Sequence, residues 1–153
     1  MFTKLILAVT ATVLGGLATS SAAVAADGET KALNNNTFQE FASSGFCEPH
    51  ASSCAVTFPP MIYATTVVKA VSCYTNVTLG SVVGFRLGTN SGGNQNFYMP
   101  GSIFDVGDLL GVSVNASTYM FFNKGESPYV MVFVSNGSFS GNTFACTITG
   151  EHS

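Results

Sequence analysis

Turn-forming residues divide this chain into short apolar stretches, and that division constrains the fold more than any other feature of the sequence. Val and Thr dominate the stretches, whereas Gly, Asn and Pro separate them. Such stretches, spaced roughly ten residues apart and almost without helical periodicity, are typical of antiparallel β-sandwiches. We therefore predict an all-β domain: a single antiparallel β-sandwich of about seven or eight strands, jelly-roll or immunoglobulin-like, with a small β-barrel as the alternative.

The most apolar stretch of the domain spans residues 129–134 and has turn residues at both ends. A run this short predicts a central strand that is buried on both faces. Residues 144–149 follow it and alternate, which places Phe144, Cys146 and Ile148 on one face and predicts a strand with its other face in water. We expect these two strands to pair as a hairpin.

Further strands are predicted from alternation and flanking turns. Within residues 65–76 the alternation places Val67, Val71 and Cys73 on one face, and within residues 83–87 it turns Arg86 towards water. In chain order, these additional strands are residues 54–58, 65–76, 83–87, 96–99, 109–115 and 118–123.

One helical signal precedes the strands. Thr37 and Glu40 have the spacing of a capping box, and Gly45 provides a stop. We predict a short N-terminal helical turn here, with Phe38 and Phe41 covering one end of the core.

The N-terminus has the parts of a secretory signal peptide. Lys4 precedes a short apolar segment, and small residues with an Ala-x-Ala pattern follow, so that cleavage after Ala25 or Ala26 is expected. The apolar segment is too short to span a bilayer well. We predict a signal peptide over residues 1–26, a flexible tail over 27–36 and a disulfide-stapled β domain over 37–153, with no membrane span after cleavage. The Ala-rich signal peptide predicts a bacterial protein that is secreted or periplasmic.

All four cysteines, Cys47, Cys54, Cys73 and Cys146, follow the predicted signal peptide. An even number of cysteines in an oxidising compartment predicts two disulfides, for which three connectivities exist. We favour Cys47 with Cys54, which closes a short loop, and Cys73 with Cys146, which ties an early strand to the last one. On the chain-entropy model these bonds would stabilise the fold by about 2.5 and about 4 kcal/mol, respectively.

Motifs for catalysis are missing from the sequence. The two histidines are His50 and His152, and the chain has no Gly-x-Ser-x-Gly, His-Glu-x-x-His, Walker or dinucleotide-binding motif. A hydrolase would need His50 paired with Asp105 or Asp108, neither of which lies in an informative motif. We predict no enzymatic activity and no cofactor, and we rank a small secreted hydrolase last among the functional classes.

Two groups of residues offer ligands for a metal ion. Cys47, His50 and Cys54 lie close together in sequence, but exported thiols oxidise, and a disulfide-closed loop is therefore the favoured interpretation. Asp105 and Asp108 offer carboxylates for Ca²⁺, yet aspartates in such loops more often bond their own backbone. We therefore predict no metal site.

Charge excludes two classes of partner. Without Lys4, four basic residues (five minus one) remain against eight acidic ones, a net charge of −4, and only 8% of the full chain is charged. Such a chain lacks the basic surface that nucleic acid or anionic lipid would require. The many Asn, Ser, Thr and Gly residues predict a surface that is polar and neutral.

Three aromatic residues on two predicted strands, Phe97, Tyr98 and Tyr119, are candidate ligand contacts. Sugar-binding sandwiches use exposed rings beside amide side chains, although core packing explains the same residues and is favoured. Our main hypothesis is a non-enzymatic module that recognises a carbohydrate or another envelope component. The alternative is a self-associating structural or adhesive subunit, which would require the strand at 129–134 to lie at a sheet edge.

Overall fold

The computed structural model describes residues 31–34, 36–44, 46–78, 82–90, 96–135, 139, 141 and 143–153. The predicted signal peptide and half of the predicted tail, residues 27–30 and 35, lie outside these residues. The described chain consists of strands and connections, and it contains no helix of the length and hydropathy that crossing a membrane requires. The strands are β1 (Lys31–Asn34), β2 (Thr37–Ser43), β3 (Ser53–Thr57), β4 (Thr65–Val77), β5 (Val82–Thr89), β6 (Asn96–Pro100), β7 (Ser102–Val106), β8 (Leu109–Asn123), β9 (Pro128–Ser135) and β10 (Ala145–His152).

The strands form two antiparallel sheets of a β-sandwich, as predicted. The larger sheet has the order β1-β2-β10-β4-β8-β7, and the smaller has the order β3-β9-β5-β6. Four antiparallel pairs nest within one another along the chain: β2 with β10, β3 with β9, β4 with β8, and β5 with β6. Nested pairs that alternate between two sheets make a jelly roll, so the strand order selects this arrangement over an immunoglobulin-like sandwich or a closed barrel.

The core between the sheets follows from the alternation along each strand. Phe144, Cys146 and Ile148, which were predicted to share one face, are all buried. Phenylalanines are the largest side chains of the core, and each ring removes a large apolar area from water. The largest fully buried side chains include Phe58, Phe85, Phe122, Phe139, Phe144, Leu87 and Met99.

Both favoured disulfides are present. Cys47 bonds to Cys54 and closes the short loop before β3. Cys73 on β4 bonds to Cys146 on β10, and the two residues are direct partners across these neighbouring strands. The second bond therefore lies within the core of the larger sheet, where it joins segments 73 residues apart in sequence.

The helical turn predicted after Thr37 is wrong. This segment is β2, which pairs with β1 on one side and with β10 on the other. Phe38 and Glu40 point into the core while Phe41 points outward, as in an alternating strand. The capping-box spacing is a local signal worth about one turn of helix, and pairing with two neighbouring strands outweighs it.

The predicted hairpin between residues 129–134 and 144–149 is also wrong. These segments are β9 and β10, which lie in different sheets. β9 is central, as predicted, because β3 and β5 flank it. Only one of its faces reaches the core, however: its three valines point inward, whereas Tyr129, Met131 and Phe133 lie half-buried on the outer face of the smaller sheet.

A β-bulge in β4 changes which of its residues face the core, so one of the predicted core positions is wrong. The register against β10 shifts between Val68 and Ala70, where β4 has one residue more than its partner. The extra residue reverses the alternation, so that Val68 instead of the predicted Val67 shares the core face with Val71.

The number of strands differs from the prediction as well. The segments predicted separately at 109–115 and 118–123 are one strand, β8, and β1, β2 and β7 were not predicted as strands. Small polar residues in the middle of β8 resemble a turn in sequence, but pairing with β4 keeps them extended.

Candidate functional site

A shallow trough crosses the outer face of the larger sheet. It is lined by eight residues of β4, β8 and β10, of which five are polar and three (Ala70, Val71 and Ala116) are apolar, and its volume is about 270 Å³. A second depression of about 250 Å³ continues it towards β2. We call the two together the polar trough; its outward-facing residues include Ser72, Ser113, Asn115, Ser117, Thr147 and Thr149.

Strand register brings the trough residues into one row. Ser72 on β4 lies directly opposite Asn115 on β8 and Thr147 on β10. The Ser72 hydroxyl donates a hydrogen bond to Oδ1 of Asn115 at 2.6 Å, which directs the amide NH₂ of Asn115 away from Ser72. The trough thus presents hydroxyls, which both donate and accept, beside an amide donor.

Exposed aromatic rings flank the polar row. Phe41 on β2 lies opposite Thr147 at one side. At the other side Tyr74 on β4 stacks on Phe104 of β7, with the ring centroids 6.0 Å apart. The Tyr74 hydroxyl donates to Oδ1 of Asn76 at 2.6 Å, and this bond helps to fix the orientation of the ring.

A second pair of rings stands farther along the same face. Tyr119 and Phe121 project outward from β8 in an edge-to-face pair, with centroids 5.3 Å apart. Tyr119 lies six positions beyond Ser113, the residue that pairs with Tyr74, so about 20 Å of extended strand separates the two aromatic groups. The surface between them is long enough for a chain of several sugar rings.

The trough carries no formal charge. Its lining contains no Asp, Glu, Lys, Arg or His. Lys69 and Glu151, which lie towards one end of the sheet, form a salt bridge with each other. The lining therefore offers hydrogen bonds and aromatic faces, but no group suited to general acid–base chemistry at neutral pH.

The three aromatic residues predicted as candidate contacts are all exposed, so the favoured core interpretation is wrong for them. The exposed fractions are 37% for Phe97, 67% for Tyr98 and 68% for Tyr119. Intervening residues such as Met99 and Phe122 fill the core instead.

These three residues do not share one surface. Tyr119 belongs to the outer face of the larger sheet, at the far end of the polar trough. Tyr98 lies opposite Arg86 on the outer face of the smaller sheet, and Phe97 lies opposite the buried Leu87 at the edge strand β6. Ligand contact at each of them stays a prediction, but a single site made of all three is not formed.

Sequence reasoning missed most of the trough. The alternation of Ser72, Tyr74 and Asn76 against the buried Val71 and Cys73 is visible in the sequence and would have placed these side chains on an outer face. Their neighbours on β8 and β10 could not be found in the same way, because they come from distant parts of the chain.

The residues considered for metal binding have other roles. The Cys47–Cys54 disulfide uses the two thiols, and His50 stands exposed in the loop with a φ of 68°. Oδ1 of Asp105 accepts a hydrogen bond from the Gly107 N–H at 3.0 Å, as in a turn-forming aspartate. Within the described part of the chain, no three His, Cys, Asp or Glu side chains are grouped so that they could hold a metal ion.

The outer face of the smaller sheet carries a second surface, which we call the aromatic patch: Arg86, Tyr98, Tyr129, Met131 and Phe133. Arg86 was predicted to face water, but its guanidinium lies between two rings, 5.5 Å from the Tyr129 centroid and 5.3 Å from that of Phe133. Its Nη2 donates to Sδ of Met131 at 3.7 Å. The patch is therefore an apolar face with one cation held against aromatic rings.

No family model, no curated protein and no solved structure matches the chain. Evidence for a function therefore comes from the chemistry of the surfaces.

Proposed function

We propose that the chain is an exported bacterial protein without enzymatic activity, and that it recognises an uncharged glycan through the polar trough. The observation that carries this proposal is the combination of an uncharged hydroxyl and amide lining with exposed aromatic rings on both sides.

The two kinds of side chain match the two kinds of surface on a sugar. Sugar hydroxyls donate and accept, and so do Ser72 and Thr147, while Asn115 adds an amide. The C–H face of a sugar ring is apolar and packs on aromatic faces such as that of Tyr74. A shallow depression on a sheet face suits a segment of a polymer better than a small molecule, which binds in an enclosed pocket.

Secretion or a periplasmic location is supported by two features. Two disulfides form readily in an oxidising compartment and are rare in the cytosol. The N-terminal sequence also has the charge, apolar core and small residues of a signal peptide.

A glycan screen, followed by substitutions of Tyr74 and Tyr119, tests the proposal. The mature protein is screened against neutral and charged polysaccharides by affinity electrophoresis, and hits are measured by calorimetry. We expect binding to a neutral glycan, and we expect Tyr74→Ala to weaken it about tenfold because a stacking ring is lost. Tyr119→Ala should weaken the binding of longer chains only.

Tyr98→Ala provides the matched control, since it removes an exposed tyrosine from the opposite face. We expect it to leave glycan affinity unchanged. A blank screen with folded protein, or a loss of binding in Tyr98→Ala but not in Tyr74→Ala, would contradict the proposal.

Self-association through the aromatic patch is a second candidate function. The sequence suggested self-association through strand pairing at an exposed sheet edge formed by residues 129–134. This does not apply, because these residues belong to β9, which is central in its sheet. The composition of the patch nevertheless resembles that of protein interfaces, in which Tyr, Phe, Met and Arg are enriched. Its exposed member Tyr98 and the half-buried Phe133 would face a second copy.

Sedimentation over a wide range of concentration tests this candidate. We expect a Tyr98→Ser/Phe133→Ser variant to raise the dimer dissociation constant at least tenfold, as for substitutions at interface centres. Tyr74→Ser on the opposite face serves as the control and should not change it. A wild-type protein that stays monomeric at every concentration would rule this function out.

A further inference from the structure

One side chain in the larger depression of the polar trough differs in chemistry from its outward-facing neighbours. Ala70 points outward from β4, directly opposite Ser117 on β8 and Thr149 on β10. The other two apolar residues that line this depression are Val71, which is buried, and Ala116, which packs against the core. The methyl group of Ala70 is therefore an apolar contact point within a row of hydroxyl groups.

Asn115 supplies a hydrogen-bond donor close to this methyl group. Its Oδ1 accepts from the Ser72 hydroxyl at 2.6 Å, and its Nδ2 group can only donate. Asn115 lies opposite Ser72, the next outward residue of β4 after Ala70, and is therefore a diagonal neighbour of Ala70. Diagonal neighbours in a sheet are about 7 to 8 Å apart. A donor and a methyl group thus stand side by side at this spacing.

Side chains supply the polar contacts in this part of the trough, because the backbone is already paired. β4 lies between β10 and β8, and β10 lies between β2 and β4. The backbone N–H and C=O groups of these two strands are used in ladders on both sides. An extended peptide therefore cannot pair with the backbone here, and a ligand is recognised through its own substituents.

We propose that the trough recognises acetamido groups, so that the glycan it binds is N-acetylated. This specificity rests on the glycan recognition proposed above and names the class of sugar. The acetamido carbonyl oxygen accepts from Nδ2 of Asn115, the methyl group packs on Ala70, and the N–H donates to a hydroxyl beside Ala70. A hydrogen bond of about 2.9 Å on one side and a methyl contact of about 4 Å on the other suit the spacing of two diagonal neighbours.

The uncharged lining supports the acetylated sugar over the free amino sugar. A protonated amino group brings a positive charge, and the trough lining contains no Asp or Glu to balance it. Removing an unbalanced charge from water is unfavourable. Acetylation removes that charge and adds the carbonyl oxygen and the methyl group that Asn115 and Ala70 contact.

Calorimetry with three tetrasaccharides tests the specificity. The folded mature protein is titrated at pH 7 with tetramers of N-acetylglucosamine, of glucose and of glucosamine that share one linkage. We expect the acetylated tetramer to bind at least tenfold more tightly than the other two, because one hydrogen bond and one buried methyl group together contribute about that factor.

Two outcomes would overturn the specificity. A glucose or glucosamine tetramer that binds as tightly as the acetylated one would overturn it and leave glycan recognition standing. Binding of none of the three would also overturn it, and a blank polysaccharide screen in addition would overturn glycan recognition itself.

Two substitutions locate the contacts. Asn115→Asp keeps the shape of the side chain but replaces the donor by an acceptor, and it should weaken the acetylated tetramer about tenfold and the glucose tetramer less. Ala70→Thr fills the space of the ligand methyl group and should lower the ratio of the two affinities about threefold or more. Because Asn115 is exposed, Asn115→Asp keeps the test decisive if Ala70→Thr disturbs the sheet.

Ala55→Thr is the matched control, since Ala55 lies on β3 opposite Met131, in the smaller sheet. We expect it to leave both affinities unchanged. An affinity ratio that stays the same in Asn115→Asp and in Ala70→Thr would overturn the proposed acetamido contacts.

Discussion

Replacing Cys73 and Cys146 together with alanine is expected to lower the free energy of unfolding by about 4 kcal/mol, because the bond closes a loop with a sequence separation of 73 residues. Native domains are stable by only about 5 to 15 kcal/mol, so a substantial fraction of the stability would be lost. The two residues are direct partners on β4 and β10, and the bond therefore fixes the middle of the larger sheet. Urea unfolding of the oxidised wild type and of the variant measures the difference.

The other disulfide provides the matched control. Cys47 and Cys54 are separated by seven residues, and on the same loop model their replacement with alanine should cost about 2.5 kcal/mol. The prediction would be contradicted if the short-loop pair cost as much as the long-loop pair, since the loop model would then not account for either.

Gly150→Ala is expected to lower stability by about 4 kcal/mol or more, or to prevent folding, through severe steric overlap. A Cβ at Gly150 would lie 2.0 Å from the carbonyl oxygen of Val67 and 2.7 Å from a ring carbon of Phe38. Gly150 sits where the register between β10 and β4 shifts, and the two backbones approach closely there. The overlap with Val67 involves a backbone atom, so the movement of a side chain cannot relieve it. The strands β10 and β4 would have to move apart. Soluble yield and thermal unfolding by circular dichroism measure the effect.

Gly84→Ala is the control for the Gly150 prediction. Gly84 also lies within a strand, β5, but a Cβ there would meet no atom within 4 Å. We expect a change of less than about 1 kcal/mol, of either sign, because a strand glycine carries only an entropic penalty. A folded Gly150→Ala protein with the stability of Gly84→Ala would show that the strands can move apart at little cost.

Local alternation was sufficient to predict the all-β class and several buried positions. Phe144, Cys146 and Ile148 were placed correctly because each strand shows its two faces in its own sequence. The pairing of Cys73 with Cys146 was favoured for a different reason, because it would tie an early strand to the last one, and it is present. Residues after Thr37 were assigned to a helix because no local signal shows that two other strands will flank them.

The binding surface was much harder to predict than the fold class. Tyr119 was the only one of three candidate aromatic residues that the structure places beside the polar trough. The row of Ser72, Asn115 and Thr147 arises only when three distant segments align in register, and a bulge after Val68 changes which residues of β4 face outward. Register of this kind depends on tertiary contacts and leaves no periodic signal in one strand.

The position of β10 has a consequence for the order of events during biosynthesis. The final strand fills the gap between β2 and β4, so the larger sheet stays open until the last residues of the domain are available. A chain that emerges from a ribosome or a translocation pore with its N-terminus first exposes Cys47 and Cys54 together, while Cys73 waits for a partner 73 residues away. The native partner of Cys47 is thus available early, whereas the second sulfur bridge can lock the jelly roll only after the last strand has been delivered.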